Sequence, residues 1–359
     1  MAYDIFPKTQ KELEESTKDF SKEVRSELMG LFTYLKKKFP AVETPINLDK
    51  SKKTSVNITR AVQEDVSLDK IKRDLKIEKL SMKYGNGSSG NRGTANRGNL
   101  FEPQFAQALN DWWEGKDVSD AKMLEAIEHI DEIYNLSKAD SIKIEIMGGE
   151  NTPRPLQYSS TGITLKNTKG TGNDVGPSVT DITITKKTKN KTEEIYLSLK
   201  VGGTVTFFNV GLRTVLTPEE IKKNRITNKE GLMLLDLFGI DPALFCMVFN
   251  GKLKKGVVQK NTVNKTKLTK LLKSGIGYGY HVVHKVTGKI ISKQMDEAAL
   301  AEASKIGNSV VYYGGKTGNG KRIDIEVESS EYKFKLNIRD TQGKDGYPTR
   351  LMCDFTHKH

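Results

Sequence analysis

Residues Gly176 to Asn209 read GPSVTDITITKKTKNKTEEIYLSLKVGGTVTFFN, a pattern that predicts an antiparallel β-hairpin. A β-like run opens after Asp181, a lysine-rich turn follows, and a second apolar run ends at Lys200 beside two glycines. The two strands of a hairpin lie about 5 Å apart, so an acid at the start of one and a lysine at the end of the other can share one pocket. The stretch therefore predicts that Asp181 and Lys200 lie together.

An acid and a lysine in one pocket suit the hydrolysis of phosphodiester bonds when a further carboxylate is close. Carboxylates hold a hard divalent cation through oxygen, and the cation lowers the pKa of a bound water. The lysine then positions that water or offsets the negative charge that develops. Upstream, GNRGNLFEPQFAQAL predicts a helix that carries Glu102 at the edge of its apolar face. The alternative role for Glu102 is that of a first-turn acid which favours the helix dipole.

On these residues the chain resembles the restriction-endonuclease-like PD-(D/E)xK nuclease superfamily. Asp181 matches the central metal-binding Asp of that superfamily, Lys200 matches the Lys that closes its second motif, and Glu102 matches the acid on its first core helix. The resemblance implies a restriction-endonuclease-like core and a metal-dependent endonuclease that hydrolyses DNA. It also implies Mg²⁺, or Mn²⁺, held by Asp181 and Glu102, with Lys200 at the attacking water.

The chain departs from the superfamily pattern at two positions. Ser198 stands two residues before Lys200, where the pattern has Asp or Glu, and the Pro of the pattern is displaced to Pro177, four residues before Asp181. A hydroxyl is a weaker metal ligand than a carboxylate, so the site either holds one ion or recruits another acid. The candidate acids are Glu102, Glu145, Glu193 and Glu194. The alternative function is a catalytically weak or inactive protein of the same fold that binds nucleic acid or serves a phage as a structural or interaction protein.

Composition favours a polyanionic partner. The 359 residues include 58 Lys plus Arg against 45 Asp plus Glu, a net charge of +13, and such an excess favours nucleic acid through counterion release. A lysine-rich solvated surface without a partner is the alternative. No apolar run approaches the roughly 20 residues of a spanning helix, so we expect no membrane partner. The polar N-terminus argues against a signal peptide, and we expect a cytoplasmic protein of a bacterium or of a phage-infected cell.

The two cysteines are expected to be buried free thiols. Cys246 and Cys353 each stand in an apolar run, LFCMVF and RLMCDF, which is typical of a thiol in a reducing compartment. With the scattered histidines they form no zinc pattern.

Patterning along the chain predicts an α/β protein with four regions. Residues 1–83 are predicted to be helical, with an amphipathic helix from Lys8 to Phe39 and one or two helices from Ile58 to Leu80. The first helix packs on its own domain or mediates a homodimer. Residues 84–99 are a Gly-rich linker or phosphate loop, residues 100–215 are the nuclease-like core with a mixed sheet, and residues 216–359 are helical and then β-rich.

Several basic residues are predicted to contact DNA. The Gly-rich segment holds two NRG copies whose arginines could bind phosphate, and Lys252 to Lys273 contains eight lysines and no acid. Polar loops near the C-terminus end in further basic residues, and loops on a rigid sheet often carry substrate contacts. The candidates are Arg92, Arg97, Lys254, Lys255, Lys265, Lys267, Arg339 and Arg350. A disordered linker and a solvated surface are the alternatives for the first two groups.

Overall fold

A computed structural model describes most of the chain and divides it into two compact units. The described residues are 4–40, 42, 44–49, 52–59, 67–85, 97–147, 154–167, 169–203, 205–286, 288–343 and 345–358. The first unit is Met1–Ala108 and the second is Leu109–His359. Both units combine helices with sheets, so the predicted α/β class is confirmed.

The first unit packs helices against a four-stranded sheet of order β1-β2-β3-β4, in which only β3 and β4 run parallel. Its strands are β1 (Asp4–Ile5), β2 (Ile46–Asp49), β3 (Ser55–Thr59) and β4 (Ser81–Gly85). Its helices are α1 (Gln10–Ser16), α2 (Lys22–Lys38), α3 (Leu68–Leu75) and the first part of α4 (Arg97–Trp113). Buried side chains of α2 and the strands, among them Leu28 and Ile58, form one core.

These strands correct the prediction of a helical N-terminal region. β3 alternates half-buried and buried residues, and Val56 and Ile58 are fully buried, so the segment predicted to be helical from Ile58 begins in a strand, and α3 is the helix within it. The five residues of β3 are too few to reveal a period, and its parallel partner β4 begins 22 residues after β3 ends. The long helix expected from Lys8 to Phe39 is two helices, because Ser21 caps a new start by accepting a hydrogen bond from the Val24 amide.

The second unit contains two larger sheets with helices packed on them. Its helices are α5 (Ala121–Tyr134), α6 (Gly176–Val179), α7 (Pro218–Lys222), α8 (Lys229–Leu237), α9 (Pro242–Phe249), α10 (Lys265–Ile276) and α11 (Glu297–Ala303), with a 3₁₀ turn at Leu136–Lys138. Its first strands are β5 (Ser141–Ile146), β6 (Leu156–Ser159), β7 (Gly162–Leu165), β8 (Ile182–Thr188), β9 (Lys191–Val201) and β10 (Val205–Gly211). The later strands are β11 (Val257–Lys260), β12 (Tyr280–Val286), β13 (Lys289–Met295), β14 (Ser309–Tyr313), β15 (Arg322–Glu328), β16 (Tyr332–Arg339) and β17 (Arg350–His357).

The five-stranded sheet is mixed and has the order β13-β12-β9-β8-β5. β5, β8 and β9 form an antiparallel meander, and β12 joins β9 in parallel after the chain has passed through α10. One face of this sheet is covered by α5, which contacts β13. The predicted succession of helix, strand and hairpin is therefore confirmed for α5, β5 and the β8–β9 pair.

The six-stranded sheet is antiparallel, with the order β10-β17-β16-β15-β14-β11. One of its faces supplies Ile325, Leu336 and Phe355 to the main core, whereas the other carries polar and charged residues. Both cysteines are buried and free, as predicted. Among the described residues no single helix is long and apolar enough to cross a membrane, although α8 and α9 pass that test together as a pair bent by 98°.

Candidate active site

The predicted hairpin brings its acid and its lysine together. In the β8–β9 ladder Ile182 is paired with Leu197, and the Asp181 amide donates to the Leu197 carbonyl at 2.8 Å. Side chains alternate between the two faces of a sheet, so Ile182 and Leu197 enter the core on one face. Asp181, Ser198 and Lys200 share the opposite face.

Asp181, Ser198 and Lys200 form a polar corner of the sheet, and one oxygen of the Asp181 carboxylate contacts the other residues there. Oδ2 accepts a hydrogen bond from the Leu199 amide at 2.6 Å and lies 3.4 Å from the Ser198 hydroxyl. The Lys200 ammonium lies 4.0 Å from the same oxygen, and the two side chains are 27% and 24% exposed. Among the described residues Oδ1 has no hydrogen-bond partner, so it remains available to a ligand from solution.

Burial dominates the ionisation of Asp181. Desolvation raises the pKa of the carboxyl above its usual value, although Lys200, the Leu199 amide and the Ser198 hydroxyl all act in the opposite direction. Desolvation penalises the charged form, and the three neighbours stabilise it. The corner is therefore a partly buried carboxyl group whose charged form is disfavoured by burial and favoured by Lys200, the Leu199 amide and the Ser198 hydroxyl.

A histidine of β12, His284, adjoins Lys200, and a histidine of β17, His357, lies against His284. His284 is the register partner of Lys200, its Nε2 lies 2.7 Å from the Gly202 carbonyl, and its Nδ1 lies 3.1 Å from Nε2 of His357. Burial lowers the pKa of His284, and the positive charge of Lys200 lowers it further. A neutral His284 that donates to the carbonyl through Nε2 must accept from His357 at Nδ1.

The other candidate acids are placed differently. Glu194 is paired with Thr185, four residues along β8 from Asp181 and so roughly 13 Å away, and Glu193 lies on the opposite face beside Lys186. Neither glutamate replaces the missing acid. Glu145 is paired with Thr183 on the Asp181 face, about 5 Å across and about 7 Å along the sheet. Of the candidate acids Glu145, Glu193 and Glu194, Glu145 is therefore the one nearest to Asp181 on the same face, and it forms an ion pair with Lys143 at 2.7 Å.

Glu102 lies in α4, as predicted, and belongs to the first unit. Its proposed metal role stays a prediction.

These residues fit a cation that is only partly held by protein. Among the described residues no group of three or more His, Cys, Asp or Glu side chains could enclose a metal ion. Mg²⁺, however, usually keeps several waters and is bound by one or two carboxylates together with substrate phosphates. The open Oδ1 of Asp181, with Glu145 on the neighbouring strand, meets that requirement.

The lysine-rich segment is divided between a loop, a strand and a helix. Lys254 and Lys255 are exposed in the loop before β11, and Lys265 is exposed in the first turn of α10. Lys267 forms an ion pair with Asp236 at 2.6 Å, so its charge is already compensated. The segment is therefore not one continuous basic track.

The arginine candidates fall into two sets. Arg92 lies outside the described residues, and Arg97 is the first residue of α4. Arg339 and Arg350 are cross-strand partners at the end of β16 and β17. Both are half-buried.

Sequence reasoning missed the histidines at the corner. The three-residue spacing of His281 and His284 correctly predicts opposite faces of a strand, because the register pairs His281 with Leu197 and His284 with Lys200. The spacing contains no sign that β12 lies beside β9, since the paired positions, such as His284 and Lys200, are 84 residues apart. His357, near the C-terminus, has no local signal at all.

Comparison with known proteins gives one structural match. No family model matches the chain, and no curated protein matches it. Among solved structures, the chain is similar to the restriction endonuclease MspI in complex with its cognate DNA, with a TM-score of 0.33 and 11% identity over 80% of this chain and 98% of that chain. A superposition at this TM-score does not establish a shared fold.

Proposed function

We propose that this protein is a magnesium-dependent endonuclease that hydrolyses phosphodiester bonds in DNA, with the corner of Asp181, Ser198 and Lys200 as its active site. The observation that carries the proposal is the carboxylate of Asp181, held by the Leu199 amide and 4.0 Å from the Lys200 ammonium, with one oxygen open. The net charge of +13 suits a polyanionic substrate.

The residues of the corner have separate roles. Asp181 would bind Mg²⁺ through Oδ1, and Glu145 on the neighbouring strand would supply the second carboxylate. When bound, the ion lowers the pKa of a coordinated water and offsets charge on the phosphate. Lys200 orients the attacking water or stabilises the charge that develops on the phosphate oxygens, and the Leu199 amide keeps Asp181 in place.

A second candidate function is DNA binding without efficient cleavage. The specific observation in its favour is Ser198, which is buried and donates to Asp181 at the position where the nuclease pattern has an acid. A neutral hydroxyl adds no charge for the cation, so turnover would be weak while binding by the basic surface persisted.

The test of the proposed function is cleavage of supercoiled and linear DNA with Mg²⁺, Mn²⁺, Ca²⁺ or EDTA. We expect Mg²⁺ and Mn²⁺ to support cleavage and Ca²⁺ to support binding alone. Lys200→Ala should slow cleavage, because it removes about 2 to 4 kcal/mol of transition-state stabilisation. Lys187→Ala is the matched control, because Lys187 is an exposed lysine on the same face of the same hairpin. Metal-dependent DNA binding without cleavage would favour the second candidate, and equal loss in both variants would refute the role of Lys200.

A further inference from the structure

A cleft of about 630 Å³ opens in the second unit at the ends of β10 and β17. Its walls include Arg213, Arg350 and Glu230 as charged residues, together with Tyr158 on β6. Asp181, Ser198 and Lys200 are not among its lining residues, so the cleft is separate from the proposed active site. Its volume lies within the range of small-molecule sites.

Arg350, which lines this cleft, carries charge that the described protein does not compensate. It is the direct cross-strand partner of Arg339, which is not among the lining residues, and like charges at such positions repel. Arg322, the next residue across the sheet, has its Nε 2.8 Å from an oxygen of Asp324. Among the described residues Arg339 and Arg350 have no such carboxylate, and the buried Nε of Arg339 has no hydrogen-bond partner. The uncompensated guanidinium of Arg350, beside a second one, forms a site for an anion, and phosphate suits its planar fork.

The rest of the cleft suits a planar polar body attached to that anion. The Tyr158 hydroxyl is buried without a partner, and burial raises the pKa of Tyr158, so the hydroxyl is a donor at neutral pH. Gln157 and Gln342 offer amide groups that both donate and accept, and Glu230 offers an acceptor. A base could stack on the tyrosine ring while the amides and Glu230 meet its edge.

We propose that this cleft binds a nucleoside monophosphate unit, free in solution or at the end of a nucleic acid strand. Arg350 holds the phosphate, and Tyr158 packs against the base. Arg213 remains paired with Asp345 at 2.6 Å and forms part of the wall. The proposal does not depend on cleavage at Asp181.

The first experiment is calorimetric titration of the full chain in EDTA with the four deoxynucleoside 5′-monophosphates, the matching nucleosides and inorganic phosphate. We expect at least one nucleotide to bind at least about tenfold more tightly than its nucleoside, because the charged contacts are made only with the phosphate. Nucleotides that bind no more tightly than their nucleosides would overturn the proposal.

Substitutions on β17 and β16 test whether the nucleotide binds at Arg350. Arg350→Gln should weaken the nucleotide by about tenfold or more, and Arg350→Lys, which keeps the charge but loses the fork, should give an intermediate loss. Lys333→Gln is the matched control, because it removes one exposed positive charge from the far end of β16. Equal weakening by Arg350→Gln and Lys333→Gln would mean general charge attraction and would overturn the proposal. Thermal melting of each variant checks the fold, and the Arg350→Lys comparison keeps the test decisive if Arg350→Gln melts early.

Competition with oligonucleotides distinguishes the two sources of the ligand. A strand with a 5′-phosphate that displaces the nucleotide about tenfold better than a 5′-hydroxyl strand would identify a strand end as the ligand. Displacement by free nucleotide alone would identify a small-molecule site. Asp181→Asn should leave nucleotide binding unchanged, so failure of this proposal and failure of the nuclease proposal give different results.

Discussion

The two faces of the five-stranded sheet each carry a polar cluster around β12, and the clusters differ in access and charge. On one face, His284 adjoins Lys200 and Asp181, whose side chains are about one quarter exposed. On the other face, His281 is fully buried, and its Nε2 lies 2.8 Å from the Ser292 hydroxyl, which also lies 3.1 Å from Nδ1 of His129.

The difference lies in what each cluster does with charge. The His281 cluster lies beneath α5, and burial lowers the pKa of His281 to about 3. Nδ1 of His281 is buried without a hydrogen-bond partner among the described residues. The Asp181 corner keeps an acid and a lysine in contact with solvent. A buried neutral network stabilises a fold, whereas an exposed charged one can bind a ligand, so only the Asp181 corner is an active-site candidate.

The largest expected effect tests the buried cluster. The folded-state pKa of His281, about 3, lies below its ordinary value near 6.5, so the unfolded chain takes up the proton first as the pH falls. Stability is therefore full above pH 6.5 and declines towards pH 3, by as much as ~4 kcal/mol. The free energy of unfolding, measured with urea across this pH range, should depend less on pH in His281→Gln than in the wild type. If it depends on pH as strongly in the variant as in the wild type, His281 is not held neutral in the folded protein.

The second effect separates activity from stability at the exposed corner. Asp181→Asn should remove about 2 to 4 kcal/mol of transition-state stabilisation from DNA cleavage. Because the pKa of Asp181 is raised in the folded state, the folded chain binds its proton more tightly, and the ionised carboxylate opposes folding as the pH rises. The asparagine variant should therefore melt no lower than wild type at pH 7. A lower melting temperature would show that Asp181 is structural.

Ser198 gives a smaller and sharper effect on metal binding. Ser198→Glu should tighten Mn²⁺ by about tenfold, since a charged oxygen ligand replaces a neutral one beside Asp181. Ser198→Gln is the control for size, because it adds the same bulk without the charge. Calorimetry with Mn²⁺ measures both variants. If neither Ser198→Glu nor Asp181→Asn alters the metal affinity, this corner holds no metal and the nuclease proposal fails.

The smallest expected effect is on the salt dependence of DNA binding, for which we compare two exposed lysines with a pair that includes an ion-paired lysine. Replacing Lys254 and Lys255 by Gln should reduce the salt dependence of DNA binding by a slope of roughly 1 to 2, because each lysine that contacts a phosphate releases about one counterion. Lys265→Gln with Lys267→Gln should reduce it less, since Lys267 is neutralised by Asp236. Fluorescence anisotropy at several salt concentrations measures the slopes. Equal slopes in all variants would exclude this segment from the DNA surface.

Much of the second unit could be predicted from local patterns. Thr217, followed by Pro218, is a helix-start pattern, and it caps α7 by accepting from the Glu220 amide. Apolar and polar residues alternate in SIKIEIM, residues 141–147, and in RIDIEVE and YKFKLNI near the C-terminus, a pattern that indicates strands, and β5, β15 and β16 lie there. Periodicity and capping act over a few residues, so the amino-acid order carries them directly.

The sequence by itself determined the hairpin and hence the meeting of Asp181 with Lys200, because two strands joined by a short turn have little choice of register. Only the tertiary structure decided that His284 adjoins Lys200, that His357 lies against His284, and that Arg350 and Tyr158 line one cleft. The N-terminal strands, too, became visible only when distant segments were paired. Each of these depends on contacts between residues far apart in the chain, whose energy comes from burial and strand pairing that no short pattern records.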